Sequence, residues 1–167
     1  LTVLSTDGDL RELVRDHPCA VLTPHAGEFE RLYAATLDRK LDLSEGLGVR
    51  LRELSDALDC FILHKGRITT VTAPGQKIYG MNAGHSYAAT AGSGDVLSGI
   101  LGATLAQLDA AEADAEAIIM EILHAAAIHQ HAAAIAAHTP DGFGLCSASQ
   151  IAAAVPQAIA RLLLMQR

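Results

Sequence analysis

Short apolar segments alternate with amphipathic segments along the first 64 residues, and this alternation limits what the chain can fold into. Residues 1–4, 19–24 and 60–64 are apolar and rich in strand-forming side chains. Apolar side chains recur at helical spacing in residues 7–17, 27–35 and 43–59, where Ser44 is the expected N-cap of the last helix. A repeated strand–helix order predicts an α/β fold in which helices cover a mostly parallel sheet.

The second half of the chain changes to a mostly helical pattern. Residues 67–80 hold two β-prone pieces around Pro74 and Gly75, which predicts a hairpin. Helical spacing then predicts three helices, over 95–108, about 112–138 and about 148–166, with a break at 139–144. No internal repeat or low-complexity linker divides the sequence, so residues 1–167 are predicted to belong to one domain.

Composition and charge exclude several classes of protein. The chain has 167 residues, of which 50% are hydrophobic, and a formal net charge of −7, so it lacks the basic surface of a nucleic-acid binder. Its three cysteines are widely spaced, which predicts neither a disulfide framework nor a zinc site and favours a reducing cytoplasm. The long apolar run at 117–137 is interrupted by Glu121 and three histidines, so no membrane span is expected.

The stretch ATAGSGDVLSGILGATLAQ, residues 89–107, places a glycine-rich turn before an apolar helix. The N–H groups of a first helical turn bind anions, so we predict that Gly92, Ser93 and Gly94 form an anion hole for a phosphate. A helix N-terminus also favours a charged carboxylate, which makes Asp95 a candidate base for a hydroxyl proton. The structural alternative is that Asp95 caps the helix and the glycines allow close packing.

Two further polar residues follow predicted strands, at the sheet edge where ligands of α/β proteins collect. Lys65 follows the strand at 60–64, where its ammonium group can offset phosphate charge. His25 follows Pro24 and precedes a helix, where its imidazole can donate to a polar ligand. A surface lysine and a turn histidine are the structural alternatives. Glu28 is interpreted as support that orients the loop or caps the helix.

Three segments in this order resemble the ATP- or ADP-dependent NAD(P)H-hydrate dehydratase family. They are VLTPHAGEFERL (21–32), FILHKGRITTV (61–71) and NAGHSYAATAGSGDVLSGILGATLAQ (82–107). The resemblance implies a ribokinase-like fold and an enzyme of metabolite repair. Such an enzyme phosphorylates the ring hydroxyl of hydrated NADH or NADPH from ATP or ADP and then eliminates phosphate, so that its net reaction is a dehydration.

The resemblance also assigns roles to residues of these segments. Asp95 is expected to act as the base and to contact the hydrate together with His25, while Asn82 supports the glycine loop. The nucleotide is expected to contact Lys65, Gly66, Arg67, Ile68, Thr69 and Gly94. Mg²⁺ is expected to travel with the nucleotide phosphates, with no metal site built by the protein itself.

His124, His131 and His138 recur every seven residues, which places them on one stripe of the second predicted helix. Metal ligands on one helix are usually three or four residues apart and have carboxylate support. We therefore interpret this stripe as structural.

The sequence departs from the family pattern near the site. His85, Ser86 and Tyr87 stand where members commonly carry asparagine, proline and glycine, and His64 stands where an apolar residue is usual. The matching segments fit the C-terminal part of the family domain, so its N-terminal strands are expected to lie outside this chain. The resemblance further implies a homo-oligomer.

Two other functions fit the same residues. A ribokinase-like kinase of a small alcohol, of the hydroxymethylpyrimidine or thiazole type, shares the glycine–aspartate chemistry. A non-catalytic fragment that retains a nucleotide groove is the other alternative. Product analysis with hydrated NADH separates the first from the dehydratase, and nucleotide binding without turnover would indicate the second.

Overall fold

The computed structural model describes residues 1–82, 85–108 and 113–165. The chain divides into two compact units, Leu1–Asn82 and Ala83–Arg167. Each unit has its own cluster of buried apolar side chains. That both units belong to a single domain stays a prediction.

The first unit alternates helices with strands, as the sequence predicts for an α/β protein. Its helices are α1 (Thr2–Thr6), α2 (Gly8–Asp16), α3 (Ala26–Leu37) and α4 (Leu47–Leu58). Its strands are β1 (Val21–Leu22), β2 (Phe61–His64), β3 (Ile68–Thr72) and β4 (Tyr79–Asn82). Phe29, Leu32, Leu54 and Ile62 are fully buried and form the centre of its core.

The segment at residues 1–4 is wrongly predicted as a strand, because helix α1 begins there. Leu4 is the buried residue of this helix and packs in the core of the first unit. The Arg11 guanidinium donates to the Leu4 carbonyl at 3.0 Å, and Ser5 Oγ donates to the Thr2 carbonyl at 2.7 Å. Side chains thus satisfy carbonyl groups that a strand would have offered to a neighbouring strand.

The predicted N-cap of α4 is also wrong. The helix begins at Leu47, after Gly46, whose φ of 91° favours glycine. Ser44 instead donates its N–H and its hydroxyl to the Asp42 carboxylate, at 2.9 and 2.8 Å. A short polar side chain of this kind competes for the local backbone, and here it closes a turn before the helix.

The four strands form one sheet in the order β1-β2-β3-β4. Only β1 and β2 are parallel, whereas the other two pairings are antiparallel, so the expectation of a mostly parallel sheet is wrong for these strands. The connections at 65–67 and 73–78 are too short for the crossover that a parallel pair needs. The predicted hairpin around Pro74 and Gly75 is confirmed as β3 and β4.

The second unit is mostly helical over its described residues. Its elements are α5 (Ser93–Leu105), α6 (Ala115–Ala137), β5 (His138–Thr139), β6 (Gly142–Phe143) and α7 (Ala148–Met165). The three predicted helices are confirmed, although their predicted ends at residues 112 and 166 lie outside the described residues. The predicted break at 139–144 contains the hairpin of β5 and β6. Ala132, Ala133, Ala154 and Ala158 are buried in its core, where small side chains let α6 and α7 approach closely.

Helix α6 is the one described helix that is long and apolar enough to cross a membrane by length and composition. The core helix of a globular protein passes the same test. Buried positions of α6 recur at Ile119, Ile122, Ala126, His129 and Ala133, which is one helical face. Helix α6 packs against both α5 and α7, so we interpret it as a core helix.

A polar network centred on Glu53 joins α3 to α4. Glu53 Oε2 accepts from Tyr33 Oη at 2.5 Å and pairs with Arg39 at 2.7 Å, while Oε1 pairs with Arg50 at 2.9 Å. The hydrogen bond from Tyr33, together with the two guanidinium groups and against the effect of partial burial, lowers the pKa of Glu53 to about 2. The carboxylate therefore stabilises the fold in its charged form.

We predict that Glu53→Gln lowers Tm at neutral pH and that this loss disappears in acid. Because the folded-state pKa is depressed, the contribution of Glu53 is fully present above the ordinary value of 4.5 and is lost as the pH falls toward 2. Thermal unfolding followed by circular dichroism at a series of pH values measures the difference.

Glu45→Gln is the matched control. Glu45 also pairs with Arg50, at 2.7 Å, but it is 64% exposed, so its loss changes Tm little at any pH. A Tm deficit of Glu53→Gln that persists undiminished in acid would contradict the role assigned to the Glu53 charge.

Candidate functional site

His25 and Glu28 form a reciprocal cap at the start of α3. His25 Nδ1 accepts from the N–H groups of Gly27 and Glu28, at 3.2 and 3.3 Å, and Glu28 Oε2 accepts from the His25 N–H at 3.0 Å. Nδ1 is therefore the acceptor of the cap, which leaves Nε2, 3.5 Å from Glu28 Oε2, as the donor of the ring. The side chain of His25 is 57% exposed. The capping role and a ligand-binding role are thus compatible, because they use different ring nitrogens.

Lys65 lies beside this cap. Its N–H donates to the Pro24 carbonyl at 2.8 Å, and His25 and Lys65 form a parallel bridge that continues the β1–β2 pairing. The Lys65 ammonium is 3.9 Å from Glu28 Oε2. Partial burial raises the pKa of Glu28, but the His25 N–H and the Lys65 charge outweigh it and hold the pKa below its ordinary value. The structure thus brings three predicted site residues of the first unit together around one carboxylate.

His64 is buried directly before Lys65. It is 5% exposed, and among the described residues its Nδ1 has no hydrogen-bond partner. Its ring meets Phe29 edge-on with centroids 5.6 Å apart. Burial first, and the nearby His25 second, lower the pKa of His64, so the ring is neutral and adds no positive charge to that of Lys65.

The predicted nucleotide-binding run at 65–69 crosses from a turn into β3. Gly66 and Arg67 are exposed, Ile68 is 57% exposed, and Thr69 is buried in the sheet. A Cβ at Gly66 would lie 3.3 Å from the Ile68 carbonyl oxygen, so this turn is tight for any larger residue. Asn82 lies opposite Ile68 in the β3–β4 pairing, at the end of β4.

The glycine turn before α5 has the predicted geometry of a helix start. Gly92 has φ of 82° and its carbonyl accepts from the N–H groups of Asp95 and Val96, at 3.1 and 3.3 Å. A Cβ at Gly92 would lie 3.1 Å from the Ala148 Cβ at the start of α7. Asp95 is exposed, and among the described residues its carboxylate has no hydrogen-bond or ion-pair partner. This favours a carboxylate that serves a ligand over one that caps the helix.

Ser93 is held by a buried histidine that the sequence analysis missed. Its Oγ lies 2.8 Å from His129 Nε2, which also lies 3.0 Å from the Ser93 carbonyl oxygen. The Ser93 N–H donates to the Thr90 carbonyl at 3.2 Å. Ser93 thus has its polar groups engaged within the protein. The anion hole at Gly92, Ser93 and Gly94 stays a prediction, which rests on the shape of this turn.

A sequence signal for His129 exists. His129 stands three residues after Ala126 and three before Ala132, on the buried face of α6. The histidines of the seven-residue repeat lie at exposed or partly exposed positions instead. In that repeat, His124 Nδ1 lies 3.4 Å from Glu121 Oε1, and His131 Nδ1 lies 2.9 Å from the Ala127 carbonyl oxygen. His138 packs edge-on against Phe143. No group of three potential metal ligands occurs among the residues that the structure describes.

We predict that Ser93 and His129 are energetically coupled. Ser93→Ala and His129→Ala each remove the same buried hydrogen bond. In a double-mutant cycle the double variant should therefore be destabilised by less than the sum of the two single variants, with a coupling of about 1 kcal/mol in the free energy of unfolding. Urea unfolding of the four proteins measures it. Ser98→Ala is the control partner, because Ser98 is exposed and bonds only the Gly94 carbonyl, so its effect should add to that of His129→Ala. Additivity of Ser93→Ala with His129→Ala would refute the coupling.

Comparisons with known proteins identify relatives of the chain. A family model described as NAD(P)H-hydrate dehydratase matches residues 1–153. The chain is 39% identical over 179 residues to the bifunctional NAD(P)H-hydrate repair enzyme Nnr of Corynebacterium glutamicum, covering 97% of this chain and 31% of the relative. It is 37% identical over 107 residues to the ADP-dependent (S)-NAD(P)H-hydrate dehydratase of Neisseria meningitidis, covering 64% of this chain and 35% of that protein. The chain spans about a third of the length of these relatives.

Solved structures share its fold. The ADP/ATP-dependent NAD(P)H-hydrate dehydratase from Bacillus subtilis, co-crystallised with ATP/Mg²⁺, matches with a TM-score of 0.65 and 23% identity, over 84% of this chain and 47% of that one. A ribokinase-like superfamily protein from Enterococcus faecalis matches with a TM-score of 0.63 and 24% identity, over 84% of this chain and 44% of that one. These likenesses confirm the ribokinase-like α/β fold. The match over residues 1–153 shows that the chain belongs to the NAD(P)H-hydrate dehydratase family.

Proposed function

We propose that this chain carries the dehydration of hydrated NADH and NADPH, driven by ADP or ATP, as a step of metabolite repair. The family match over residues 1–153 carries the proposal. The Asp95 carboxylate supports it, because it is exposed at the start of α5 and has no hydrogen-bond or ion-pair partner among the described residues. The relatives are named as repair enzymes and as ADP- or ATP-dependent dehydratases of NAD(P)H hydrate. The chain supplies about a third of the length of the first of them, so the activity as a whole is part of the proposal.

Asp95 is the base in this mechanism. Its carboxylate accepts the proton of the ring hydroxyl while the hydroxyl oxygen bonds to phosphorus and the bond from phosphorus to the leaving nucleotide oxygen breaks. Elimination then breaks the ring carbon–oxygen bond, and phosphate leaves with that electron pair. The neighbouring ring carbon loses a proton, so that the ring double bond re-forms and the products are NADH or NADPH and inorganic phosphate. ADP or ATP supplies the phosphoryl group, and Mg²⁺ on its phosphates neutralises their charge.

The two loops of the first unit bind the ligands in this proposal. His25 keeps Nδ1 in the cap of α3 and donates through Nε2 to the hydrate. Residues 65–69 bind the nucleotide, and Lys65, with Glu28 as its neighbour, and Arg67 contribute the positive charge of that run. Gly94 also contacts the nucleotide. The tight turn at Gly66 fits this role, because a side chain there would meet backbone.

Charge, burial and cysteine content support proposals for the partners and location of the protein. The net charge of −7 supports a partner other than nucleic acid, and the buried face of α6 supports a protein without a membrane span. Three cysteines without disulfides support the cytoplasm. The family resemblance supports a homo-oligomer.

A chimaera tests the proposed function directly. Residues 1–167 replace the matching segment of the Corynebacterium glutamicum relative, to which the chain is 39% identical. The chimaera is expected to restore NADH absorbance from hydrated NADH when ADP or ATP is added, with release of phosphate. A chimaera that binds nucleotide but releases no phosphate with hydrated NADH would contradict the proposal, and phosphorylation of a hydroxymethylpyrimidine or thiazole alcohol would indicate the kinase alternative.

In that chimaera Asp95→Asn is expected to lower turnover by about 10²–10⁴-fold and to change nucleotide affinity little. The carboxylate acts on the hydroxyl in the transition state, whereas the proposed nucleotide contacts are residues 65–69 and Gly94. Steady-state kinetics and calorimetric titration of ADP give the two quantities. Asp141→Asn removes an exposed carboxylate of the same unit and should leave both unchanged. Equal losses in turnover and affinity would assign Asp95 to the helix structure.

Lys65→Ala is expected to raise the Kd of ADP about tenfold or more, because one charge-assisted contact to phosphate is worth about 1.5–3 kcal/mol. Lys77→Ala is the matched control, since Lys77 is an exposed lysine of the same unit. An unchanged ADP titration of Lys65→Ala would remove Lys65 from the nucleotide site.

A further inference from the structure

Aromatic rings of the second unit gather at one surface that the proposed mechanism does not use. Tyr87 and Phe143 stack with centroids 4.9 Å apart and an angle of 15° between their planes. His85 stacks on Tyr87 at 4.9 Å and 25°, and His138 meets Phe143 edge-on at 5.6 Å. The chain has only three phenylalanines and three tyrosines, so this grouping is local and does not reflect an aromatic-rich composition.

The ring surface is open to solvent. Phe143 is 58% exposed. The His85 and Phe143 centroids are 6.4 Å apart, and each is 4.9 Å from the Tyr87 centroid. His85 and Phe143 therefore do not lie on opposite faces of Tyr87, because their separation would then be close to twice 4.9 Å. The three rings lie within 25° of parallel, and the exposed Phe143 ring offers a flat apolar surface on which a further planar ring can stack.

Contacts with the rest of the second unit fix the positions of Tyr87 and Phe143. Cys146 is buried and its Sγ donates to the Tyr87 carbonyl at 3.4 Å, and Tyr87 packs against the core of the second unit. Phe143 is fixed by the pairing of β6 with β5, where it lies opposite His138. A ligand that stacks here would therefore order few side chains, which lowers the cost of binding.

A cavity of about 560 Å³ lies beside these rings and reaches Thr90, two residues before the glycine turn. Tyr87, Phe143, Ser86 and Thr90 are among its lining residues. The Thr90 carbonyl accepts from the Ser93 N–H at 3.2 Å, so the wall of the cavity continues into the first turn of α5. A flat apolar surface and a predicted phosphate-binding turn thus lie on one loop. A nucleotide has the matching two parts, a planar base and a chain of phosphates.

We infer that Tyr87 and Phe143 bind the purine base of the nucleotide by stacking, with the Ser86 and Thr90 hydroxyls available to the polar edge of the base. The inference rests on the proposed function, since that function supplies the nucleotide. It adds a base-binding site to Gly94 within the second unit.

Titration of the 167-residue chain with ADP and with inorganic pyrophosphate, a probe that has phosphates but no base, tests the site. Phe143→Leu and Tyr87→Leu are expected to weaken ADP binding about tenfold and to leave pyrophosphate binding unchanged. Leu163→Ala is the matched control, because Leu163 is equally exposed at 58% in the same unit and does not line the cavity. It should alter neither affinity.

Phe143→Trp gives a second readout that does not depend on loss of affinity. The chain contains no tryptophan, so this variant has a single indole whose fluorescence is expected to be quenched by ADP and not by pyrophosphate, with ADP affinity retained. Three results would overturn the inference: no ADP binding by the unaltered chain, equal losses of ADP and pyrophosphate affinity in Phe143→Leu, or indole emission that saturating ADP leaves unchanged. Dehydratase turnover in the chimaera is measured separately, so the base site can fail while the proposed function stands.

Discussion

The parallel pairing of β1 with β2 positions the candidate site of the first unit. Its hydrogen bonds run from Phe61 N–H to the Ala20 carbonyl, at 2.9 Å, to Lys65 N–H and the Pro24 carbonyl, at 2.8 Å. The pairing thus continues beyond the strands into both loops. Since α3 begins one residue after His25, the same register also sets where Glu28 lies. One backbone pairing therefore determines the distances among three side chains that are 40 residues apart along the chain at most.

In the second unit the helices pack against each other through small side chains. Alanines that line α6 and α7 define a close approach but offer little shape to fix one register against another. Two specific contacts locate the first turn of α5: the buried pair of Ser93 with His129, and the approach of Gly92 to Ala148. A buried polar pair tolerates few alternative arrangements, since shifting the helices would leave both groups unsatisfied. The direction in which Asp95 faces depends on this turn.

The sequence predicts the parts of the structure that depend on periodicity or on strand order. Helices α2 to α7 follow from apolar spacing, and the meeting of His25, Glu28 and Lys65 follows because carboxyl ends of parallel strands share an edge. Residues 1–4 are too few to show a period, so four apolar residues read equally well as strand or helix. Whether neighbouring strands are parallel or antiparallel depends on the length of the connection between them, which the apolar pattern of the strands does not show. His129 was missed because its function depends on Ser93, 36 residues away, which periodicity alone does not reveal.

The arrangement around Glu28 explains how a lysine stays available for a ligand. Glu28 Oε2 is fixed by the His25 N–H at 3.0 Å, whereas its 3.9 Å separation from the Lys65 ammonium is too long for a hydrogen bond. A phosphate oxygen offers that ammonium a charge-assisted hydrogen bond of about 2.7–2.9 Å, which is stronger than the contact it replaces. Lys65 can therefore turn to a phosphate while Glu28 keeps its place in the cap. The carboxylate holds the lysine nearby through charge, without the direct hydrogen bond that would compete with the nucleotide proposed to bind there.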